Sequence, residues 1–263
     1  MTLNISPIPA FNDNYIWMLR QGEEKSVGIV DPGDARPVLE RLARDALQLD
    51  TILITHHHPD HTGGIEQLLE AFPNANVIGP HSSRIASLKQ RCGDGDTVSA
   101  LGLDFEVLEI PGHTLDHIAF YLPPCAALEQ GAVFCGDTLF AGGCGRIFEG
   151  DPAMMHKSLA KLEGLPAATL VFCAHEYTLA NLGFALAAEP DNIDLQERLA
   201  TTRAMRAANR PSLPSTIALE RRTNPFLRCH NEVLAQMVAA HSGKQAQNEI
   251  DTFAQLRMWK DNF

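Results

Sequence analysis

Short apolar runs alternate with longer amphipathic stretches over the first two-thirds of the chain. The runs are rich in branched and aromatic residues and are typical of buried strands, whereas the stretches between them have helical spacing. The predicted strands are Leu3–Pro7, Tyr15–Leu19, Ser26–Val30, Thr51–Thr55, Asn76–Ile78, Phe105–Ile110, Ile118–Leu122, Ala132–Cys135 and Leu170–Cys173. The predicted helices are Ala35–Leu47, Gly64–Phe72, Ser82–Lys89 and Ala153–Leu162. This alternation indicates an α/β domain.

The pattern changes after about residue 175, where convincing strands disappear. Pro211, Pro214 and Pro225 mark turns or breaks in the middle of this region. The stretches with helical spacing are Ala180–Ala188, Asp191–Ala208, His230–His241 and Ala246–Met258. The sequence therefore predicts an α/β domain over 1–176, followed by a small all-helical domain over 177–263.

Composition and charge narrow the class of protein. The chain has 263 residues, of which 45% are hydrophobic and 20% charged, as expected for a soluble globular protein. Its net charge of −11 argues against binding to nucleic acid. The six cysteines form no C-x-x-C pair, which disfavours a disulfide framework and a zinc ribbon. No apolar run is long enough for a membrane span and the start lacks a signal-peptide pattern, so we expect a cytoplasmic protein.

Four of the predicted strands run directly into a side chain that can bind a metal ion. His56 follows one strand at once, and His113, Asp137 and His175 each follow another after one or two residues. Because side chains at the same end of neighbouring strands converge, these four are expected to meet at one site.

The segment His56–His61 concentrates four histidines and one aspartate in six positions. Pro59 disfavours helix at the preceding residue, so His58 should be extended. At a spacing of two residues along an extended chain, His56 and His58 point to the same side and His57 points away. Imidazole and carboxylate ligands without a thiolate suit zinc, iron or manganese.

The remaining donors suggest a second metal ion. Asp60 and His61 lie where Thr62–Gly64 leads into a predicted helix, so the turn can bring them beside the first pair. Asp137 is suited to bridge two ions, since one carboxylate can give an oxygen to each. Two divalent ions with two aspartates leave a net positive charge, which favours anions and lowers the pKa of bound water towards about 7.

The spacing of these donors is similar to the mark of the metallo-β-lactamase superfamily, H-x-H-x-D-H with His, Asp and His downstream. The resemblance implies an αβ/βα sandwich of two mixed β-sheets with helices on both outer faces. It does not fix the substrate, because the superfamily includes lactamases, nucleases, lactonases, dioxygenases and thioesterases. The metal ligands that it implies are His56, His58, Asp60, His61, His113, Asp137 and His175.

A narrower resemblance is to the glyoxalase II family, the hydroxyacylglutathione hydrolases, and it runs the length of the chain. It implies hydrolysis of S-D-lactoylglutathione and related S-2-hydroxyacylglutathiones to D-lactate and glutathione, the second step of methylglyoxal detoxification. The cofactors would be two divalent metal ions, with zinc favoured over iron or manganese. The matching segments are Ala10–Tyr15, Pro111–Thr114, Gly136–Phe140, Cys144–Arg146, His175–Thr178 and Thr223–Arg228.

The same resemblance implies how the glutathione part is bound. Arg146, Tyr177, Arg257 and Lys260 would hold it, with Arg257 and Lys260 on one helical face at a spacing of three residues. Taken without the resemblance, that pair would be interpreted as a solvated helix face. Phe148 stands where many members have a tyrosine, so it keeps an apolar contact but lacks the hydroxyl.

The chemical step is a hypothesis in which a metal-bridging hydroxide attacks the thioester carbonyl carbon. Asp60 and Asp137 are the expected catalytic carboxylates; whether Asp60 accepts a proton or only orients the hydroxide stays open. His57 and His117 are expected to form hydrogen bonds beside the ligands. The turn Asp31–Asp34 is expected to be structural.

Other functions fit the sequence less well. A glutathione persulfide dioxygenase with a single iron is disfavoured by the full second set of ligands and by the basic pair near the end. A nuclease is disfavoured by the net charge, and a metal-storage protein by the complete set of ligands. We expect a small-molecule glutathione thioester as the binding partner, and no nucleic acid, membrane or obligate protein partner.

Overall fold

The computed structural model describes residues 1–263. They pack into two compact units. The first holds residues 1–109 and 116–136, and the second holds residues 110–115 and 137–263.

The first unit begins with a six-stranded sheet whose strands follow chain order. The first three strands pair antiparallel and the later ones parallel, so the sheet is mixed. Parallel neighbours need crossovers, and the helices α1 to α3 lie in these connections. The strands are β1 (Leu3–Ala10), β2 (Asn14–Gln21), β3 (Ser26–Val30), β4 (Gln48–Leu53), β5 (Asn76–Pro80) and β6 (Gln90–Cys92). The helices are α1 (Ala35–Asp45), α2 (Pro59–Thr62) and α3 (Ile65–Ala71).

Apolar side chains of α1 and α3 form one core with one face of this sheet. Val38 and Leu42 of α1 are buried in it beside Ile29 and Ile52 of the central strands. Burying these side chains is the main favourable contribution to the stability of the unit. It also fixes the end of β4, from which the histidine-rich segment leaves.

Four more strands of the first unit pair antiparallel in the order β7, β8, β9, β10. They are β7 (Thr97–Ala100), β8 (Leu103–Glu109), β9 (Ile118–Leu122) and β10 (Ala132–Gly136). Leu101 and Gly102 join β7 to β8 with φ angles of 54° and 71°, a turn whose twist suits a hairpin. Every residue of β9 and β10 is buried.

The second unit is mainly helical, with two short strand pairs. The pairs are β11 (Leu139–Phe140) with β12 (Gly143–Cys144), and β13 (Leu170–Cys173) with β14 (Ser215–Thr216). Side chains of Asp151, Asn192, Thr216, Asn231 and Asn248 cap helices in this unit by accepting backbone N–H bonds. The helices are α4 (Pro152–Glu163), α5 (Thr178–Ala188), α6 (Ile193–Ala207), α7 (Ile217–Thr223), α8 (Glu232–Ser242) and α9 (Glu249–Asp261), with a 3₁₀ turn at Pro225–Leu227.

The helix predicted over Ser82–Lys89 is wrong. The segment consists of turns, and Lys89 pairs its backbone N–H with the carbonyl of Val77 at 2.9 Å. The guanidinium of Arg91 donates to the carbonyls of Ser82 and Ile85, so these oxygens are satisfied without a helix. The other predicted strands and helices are present, with bounds that are the same or shifted by a few residues. The elements β6, β7, the two-residue strands, α2, α7 and the 3₁₀ turn are additional.

The helices of this chain are too short or too polar to cross a bilayer. The predicted boundary at residue 176 differs from the division into compact units, whose last crossing falls between residues 136 and 137. The two divisions describe different properties, and the boundary at residue 176 stays a prediction.

Candidate metal and substrate site

The histidine-rich segment of the first unit is extended up to its proline. His58 has φ −60° and ψ 145° and caps the N-terminus of α2, which begins at Pro59. The Nε2 atom of His56 lies 3.1 Å from the Nδ1 atom of His58. The ring of His57 points away from this pair and forms hydrogen bonds with Asp116 and Arg84, so the predicted alternation of side chains is confirmed.

The single turn of α2 brings two further donors to the same place. The rings of His56 and His61 have centroids 4.1 Å apart. The Nε2 atom of His61 lies 3.6 Å from the Oδ2 atom of Asp60. Three imidazoles and one carboxylate therefore cluster within the first unit, and this donor set is one that zinc, iron or manganese accepts.

A buried aspartate orients His61. The Asp31 carboxylate accepts from the Thr55 backbone N–H at 2.8 Å and from the Thr55 hydroxyl at 2.7 Å. Its Oδ2 atom also lies 3.0 Å from Nδ1 of His61. Because an ionised carboxylate only accepts, Nδ1 carries the proton and Nε2 presents a lone pair. The turn at Asp31, expected to be structural, thus acts on a predicted ligand.

The loop that carries Asp31 packs very closely against α2. A Cβ atom at Gly33 would lie 1.9 Å from the carbonyl oxygen of Asp60. Any side chain there would push the loop and the helical turn apart. Gly33 is therefore needed to keep Asp31 within reach of His61.

Asn14 and His117 also support ligands in the first unit. The Asn14 amide donates to the Oδ2 atom of Asp60 at 3.2 Å, and Asn14 itself is buried. The ring of His117 stacks on that of His56, with centroids 4.5 Å apart and planes 16° apart. Beyond the family motif that contains it, no pattern of residues predicts this role of Asn14.

His57 forms a hydrogen-bonded chain beside the ligands. Its Nδ1 atom lies 2.9 and 3.0 Å from the two carboxylate oxygens of Asp116. Nη1 of Arg84 lies 2.6 Å from Nε2. A guanidinium can only donate, so Nε2 accepts and Nδ1 donates to Asp116. This partnership holds the peptide between His56 and His58.

The second unit contains its own set of three donors. The Oδ2 atom of Asp137 lies 3.5 Å from Nε2 of His113 and 3.4 Å from Nε2 of His175. All three side chains are buried. Their positions depend on a close approach at Gly145, where a Cβ atom would lie 1.9 Å from the carbonyl oxygen of Asp137.

Two residues implied in glutathione binding contact this set directly. Nδ1 of His113 donates to the carbonyl oxygen of Arg146 at 2.7 Å, which leaves the lone pair of Nε2 towards Asp137. The ring of Tyr177 stacks on His175, with centroids 4.7 Å apart and planes 8° apart. Phe148 meets the edge of His113 at 5.2 Å and is 61% exposed.

Arg257 of α9 is buried, which a solvated helix face would not be. Its Nη1 donates to the carbonyl of Cys144 at 3.0 Å, and its Nη2 to Oδ1 of Asp261 at 3.0 Å. The guanidinium also lies 5.1 Å from the ring centroid of Phe226. Its Nε is buried with no hydrogen-bond partner in the protein. A buried donor of this kind costs free energy unless a ligand accepts from it.

Lys260 and Arg146 complete a basic group in the second unit. Nζ of Lys260 lies 5.3 Å from the ring centroid of Phe184, and its pKa is lowered by burial and by the charge of Arg257. Arg146 is 60% exposed, with Nε 3.4 Å from Oδ1 of Asp261. We call Arg146, Arg257 and Lys260 the cationic group; Asp261 is the carboxylate that contacts both arginines.

Three buried cysteines, Cys92, Cys144 and Cys173, do not offer a nucleophile. Burial raises the pKa of Cys92 and of Cys173 to about 12. Burial also raises the pKa of Cys144, although Arg257 opposes the shift. These thiols stay protonated at neutral pH, and only a thiolate attacks efficiently.

Comparison with known proteins defines the class. Residues 11–175 match the model of the metallo-beta-lactamase superfamily. ETHE1 from Myxococcus xanthus aligns over 100% of both chains with a TM-score of 0.65 and 22% identity. The BLEG-1 B3 metallo-beta-lactamase aligns over 86% of this chain and 99% of its own, with a TM-score of 0.61 and 21% identity. The chain thus has the predicted metallo-β-lactamase fold of two mixed sheets with helices. That fold and the His/Asp cluster support binding of divalent metal.

The particular family follows from the C-terminal region and the full-length relatives. Residues 176–263 match the model described as the hydroxyacylglutathione hydrolase C-terminus. The hydroxyacylglutathione hydrolase of Chromohalobacter salexigens is 52% identical over 99% of this chain and 100% of its own. That of Pseudomonas aeruginosa is 50% identical over the same shares. The chain belongs to the hydroxyacylglutathione hydrolase family, as predicted. At 22% identity, the likeness to ETHE1 shows the fold alone. Because the full-length relatives are named hydroxyacylglutathione hydrolases, the dioxygenase alternative is less supported.

Proposed function

We propose that the protein hydrolyses S-D-lactoylglutathione and related S-2-hydroxyacylglutathiones to the 2-hydroxy acid and glutathione. The observation that carries this proposal is the direct contact between the two kinds of site residue. The Arg146 carbonyl accepts from His113, and Tyr177 stacks on His175. A substrate held by Arg146 and Tyr177 therefore lies beside two of the proposed metal ligands.

The proposed cofactors are two divalent metal ions, zinc in preference to iron or manganese. When bound, such ions polarise a carbonyl and lower the pKa of a water ligand towards about 7. The donors fit them, because oxygen acceptors on Nδ1 of His61 and His113 leave both Nε2 atoms as bases. A solved relative in a di-iron-bound form, 27% identical over 84% of this chain, agrees with two ions. The proposed ligands are His56, His58, Asp60, His61, His113, Asp137 and His175.

The two aspartates have different proposed roles. Asp137 is the shared ligand, since one of its oxygens already lies within 3.5 Å of two imidazoles. Asp60 is held by the Asn14 amide and its side chain is 41% exposed, so it can contact the attacking water. It orients that water or takes its proton. The water oxygen first adds to the thioester carbonyl carbon and forms the C–O bond. The C–S bond then breaks, and the thiolate, whose thiol has a pKa of about 8.5, leaves without a strong acid.

The cationic group is the proposed site for the carboxylates of glutathione. S-Lactoylglutathione carries two carboxylates, and the protein as a whole has a net charge of −11. Charge-assisted bonds from Arg146, Arg257 and Lys260 would overcome that unfavourable balance locally. The buried Nε of Arg257 is available for such a bond. The ring of Tyr177 offers an apolar face beside them.

The first test is a thioester-hydrolysis assay with S-D-lactoylglutathione, run beside metal analysis of the same sample. We expect thiol release that is lost on chelation and returns with divalent metal. Failure of metal-loaded protein to hydrolyse the thioester would refute the proposal. Oxygen uptake with glutathione persulfide would favour the dioxygenase instead. We also propose a cytoplasmic location, because the cysteines form no disulfide, as is usual in a reducing compartment.

A further inference from the structure

Asp261 is a carboxylate that contacts the cationic group, and the chemistry described so far does not use it. We propose that Asp261 is a positioning residue that orients Arg146 and Arg257 towards a carboxylate of the glutathione moiety. This inference rests on the proposed function and adds a residue that determines how tightly the substrate is held.

Asp261 joins two arginines that come from distant parts of the chain. It is the last residue of α9, one turn after Arg257, whereas Arg146 follows β12. One oxygen, Oδ1, accepts from Nη2 of Arg257 at 3.0 Å and lies 3.4 Å from Nε of Arg146. The two guanidinium groups are therefore held on the same carboxylate despite their like charge.

The bond from Asp261 fixes the plane of the Arg257 guanidinium. Nη1 is held by the carbonyl of Cys144 and Nη2 by Asp261, so the planar group cannot rotate. The third nitrogen, Nε, is buried and has no partner in the protein. Without Asp261, Nη2 would lose its acceptor and would compete with Nε for the ligand.

The contact with Arg146 restrains an exposed side chain, whereas the contact with Arg257 restrains a buried one. Arg146 is 60% exposed, and such a long side chain samples many rotamers in water. Asp261 contacts it through Nε, at 3.4 Å, and not through a terminal nitrogen. Both Nη atoms remain in position for a bidentate bond to a carboxylate. Holding Arg146 beforehand lowers the entropic cost of binding.

Asp261 also carries a negative charge that opposes an anionic ligand, and this effect must be weighed. Its side chain is 35% exposed, so water screens the repulsion. Arg257 is buried, and the loss of the partner of a buried cation is costly. Loss of the Asp261 charge would also disfavour protonated Lys260, whose pKa Asp261 helps to keep up. Loss of orientation outweighs loss of repulsion, so removing the charge weakens binding.

The test compares Asp261→Asn with the wild type in steady-state hydrolysis of S-D-lactoylglutathione. Asparagine keeps the shape and one acceptor but removes the charge. Charge-assisted bonds set the expected scale, a rise in KM of about tenfold with kcat within about twofold. Asp194→Asn is the matched control, because Asp194 forms another partly exposed pair, with Arg222 at 3.8 Å. The control should leave both constants unchanged.

A second measurement separates positioning from a merely structural role. Product inhibition is measured with glutathione and with its two derivatives in which one carboxylate is converted to an amide. The amidation with the larger cost, that is, the larger rise in the inhibition constant, identifies the carboxylate that the arginines bind. In Asp261→Asn that cost should shrink by about tenfold, because the arginines no longer hold the carboxylate well. In an Arg146→Gln background, Asp261→Asn should raise KM by a smaller factor than it does in the wild type.

The outcomes are distinguishable. If the wild type hydrolyses the thioester but Asp261→Asn has an unchanged or lower KM, the positioning role is wrong and the proposed function stands. If the wild type itself fails, the proposed function is wrong. Should Asp261→Asn not fold, Asp261→Glu keeps the charge pair but displaces it. We then expect a KM about threefold higher, and an unchanged KM would overturn the inference.

Discussion

The two compact units each hold one set of metal donors, and the sets are built differently. The first unit draws its donors from one continuous segment, His56–His61. The second draws His113, Asp137 and His175 from three separate places along the chain. In the first unit, side chains such as Asp31 and Asn14 orient the donors. In the second, a backbone carbonyl and an aromatic ring do so.

Because of this difference, the first donor set is expected to determine metal binding, and the surroundings of the second are expected to determine substrate binding as well. The supports in the first unit are carboxylate and amide groups, which tune how well a ligand binds metal. The supports in the second unit, Arg146 and Tyr177, are also the proposed contacts to glutathione. Changes in the first unit should therefore act on metal affinity, and changes around the cationic group should act on KM. Asp137 should affect both turnover and metal content.

The largest effect is expected from Asp137→Ala. Removing the carboxylate that lies between His113 and His175 should lower kcat by roughly 10³-fold or more, since the charge that organises the metal ligands is lost. Metal content per chain, measured in the same preparation, should fall below that of the wild type. A variant with normal kcat would refute the shared-ligand scheme.

Asp31→Asn should weaken metal binding about 10–100-fold, the usual cost of losing the partner that orients a metal-binding histidine. The cause is loss of the acceptor on Nδ1 of His61. Competition with a chelator measures the affinity. Asp34→Asn is the control in the same turn, because Asp34 caps α1 by accepting from the Arg36 N–H and does not contact His61. Equal metal affinity in both variants would contradict the role of Asp31.

Lys260→Met should raise KM about tenfold with little change in kcat, as expected for a group that binds substrate in the ground and transition states alike. The pH dependence follows from the lowered pKa of Lys260. As pH rises, the Lys260 ammonium loses its proton at a lower pH than an ordinary lysine, whose pKa is 10.5. KM should therefore begin to rise before the pH reaches 10.5. Lys260→Arg should remove this rise. If KM still rose with pH in Lys260→Arg, the rise would be due to the titration of another group.

The smallest effect is expected from Phe148→Tyr. The added hydroxyl can form one neutral hydrogen bond with the substrate, but the ring is 61% exposed and water competes. KM should fall by about twofold, with kcat unchanged. A rise in KM would mean that the apolar edge of Phe148 against His113 matters more than the hydroxyl.

The comparison of the two donor sets also explains what could be predicted from the sequence. The extended His58 followed from Pro59, and the strands β3 and β9 were found at their observed bounds because both neighbours of each run are polar or turn-forming. Such features depend on residues close along the chain. The roles of Asp31 and Asp261 do not, because their partners lie 30 and 115 positions away.

The wrong helix prediction and the misleading local pattern at Arg257 have the same origin. Ser82–Lys89 has helical spacing, but Arg91 satisfies its carbonyls from outside the segment. Arg257, on its own helix, has the pattern of a solvated face and yet is buried by Phe226 and by the carbonyl of Cys144. Local pattern cannot reveal a partner that folding brings from elsewhere.

The most direct test of the central claim is a metal titration of the metal-free protein with zinc, monitored by hydrolysis of S-D-lactoylglutathione. If two ions serve the seven proposed ligands, kcat should rise until two equivalents of zinc per chain are bound and then level off. A plateau at one equivalent, or no thioester hydrolysis at two, would contradict the account.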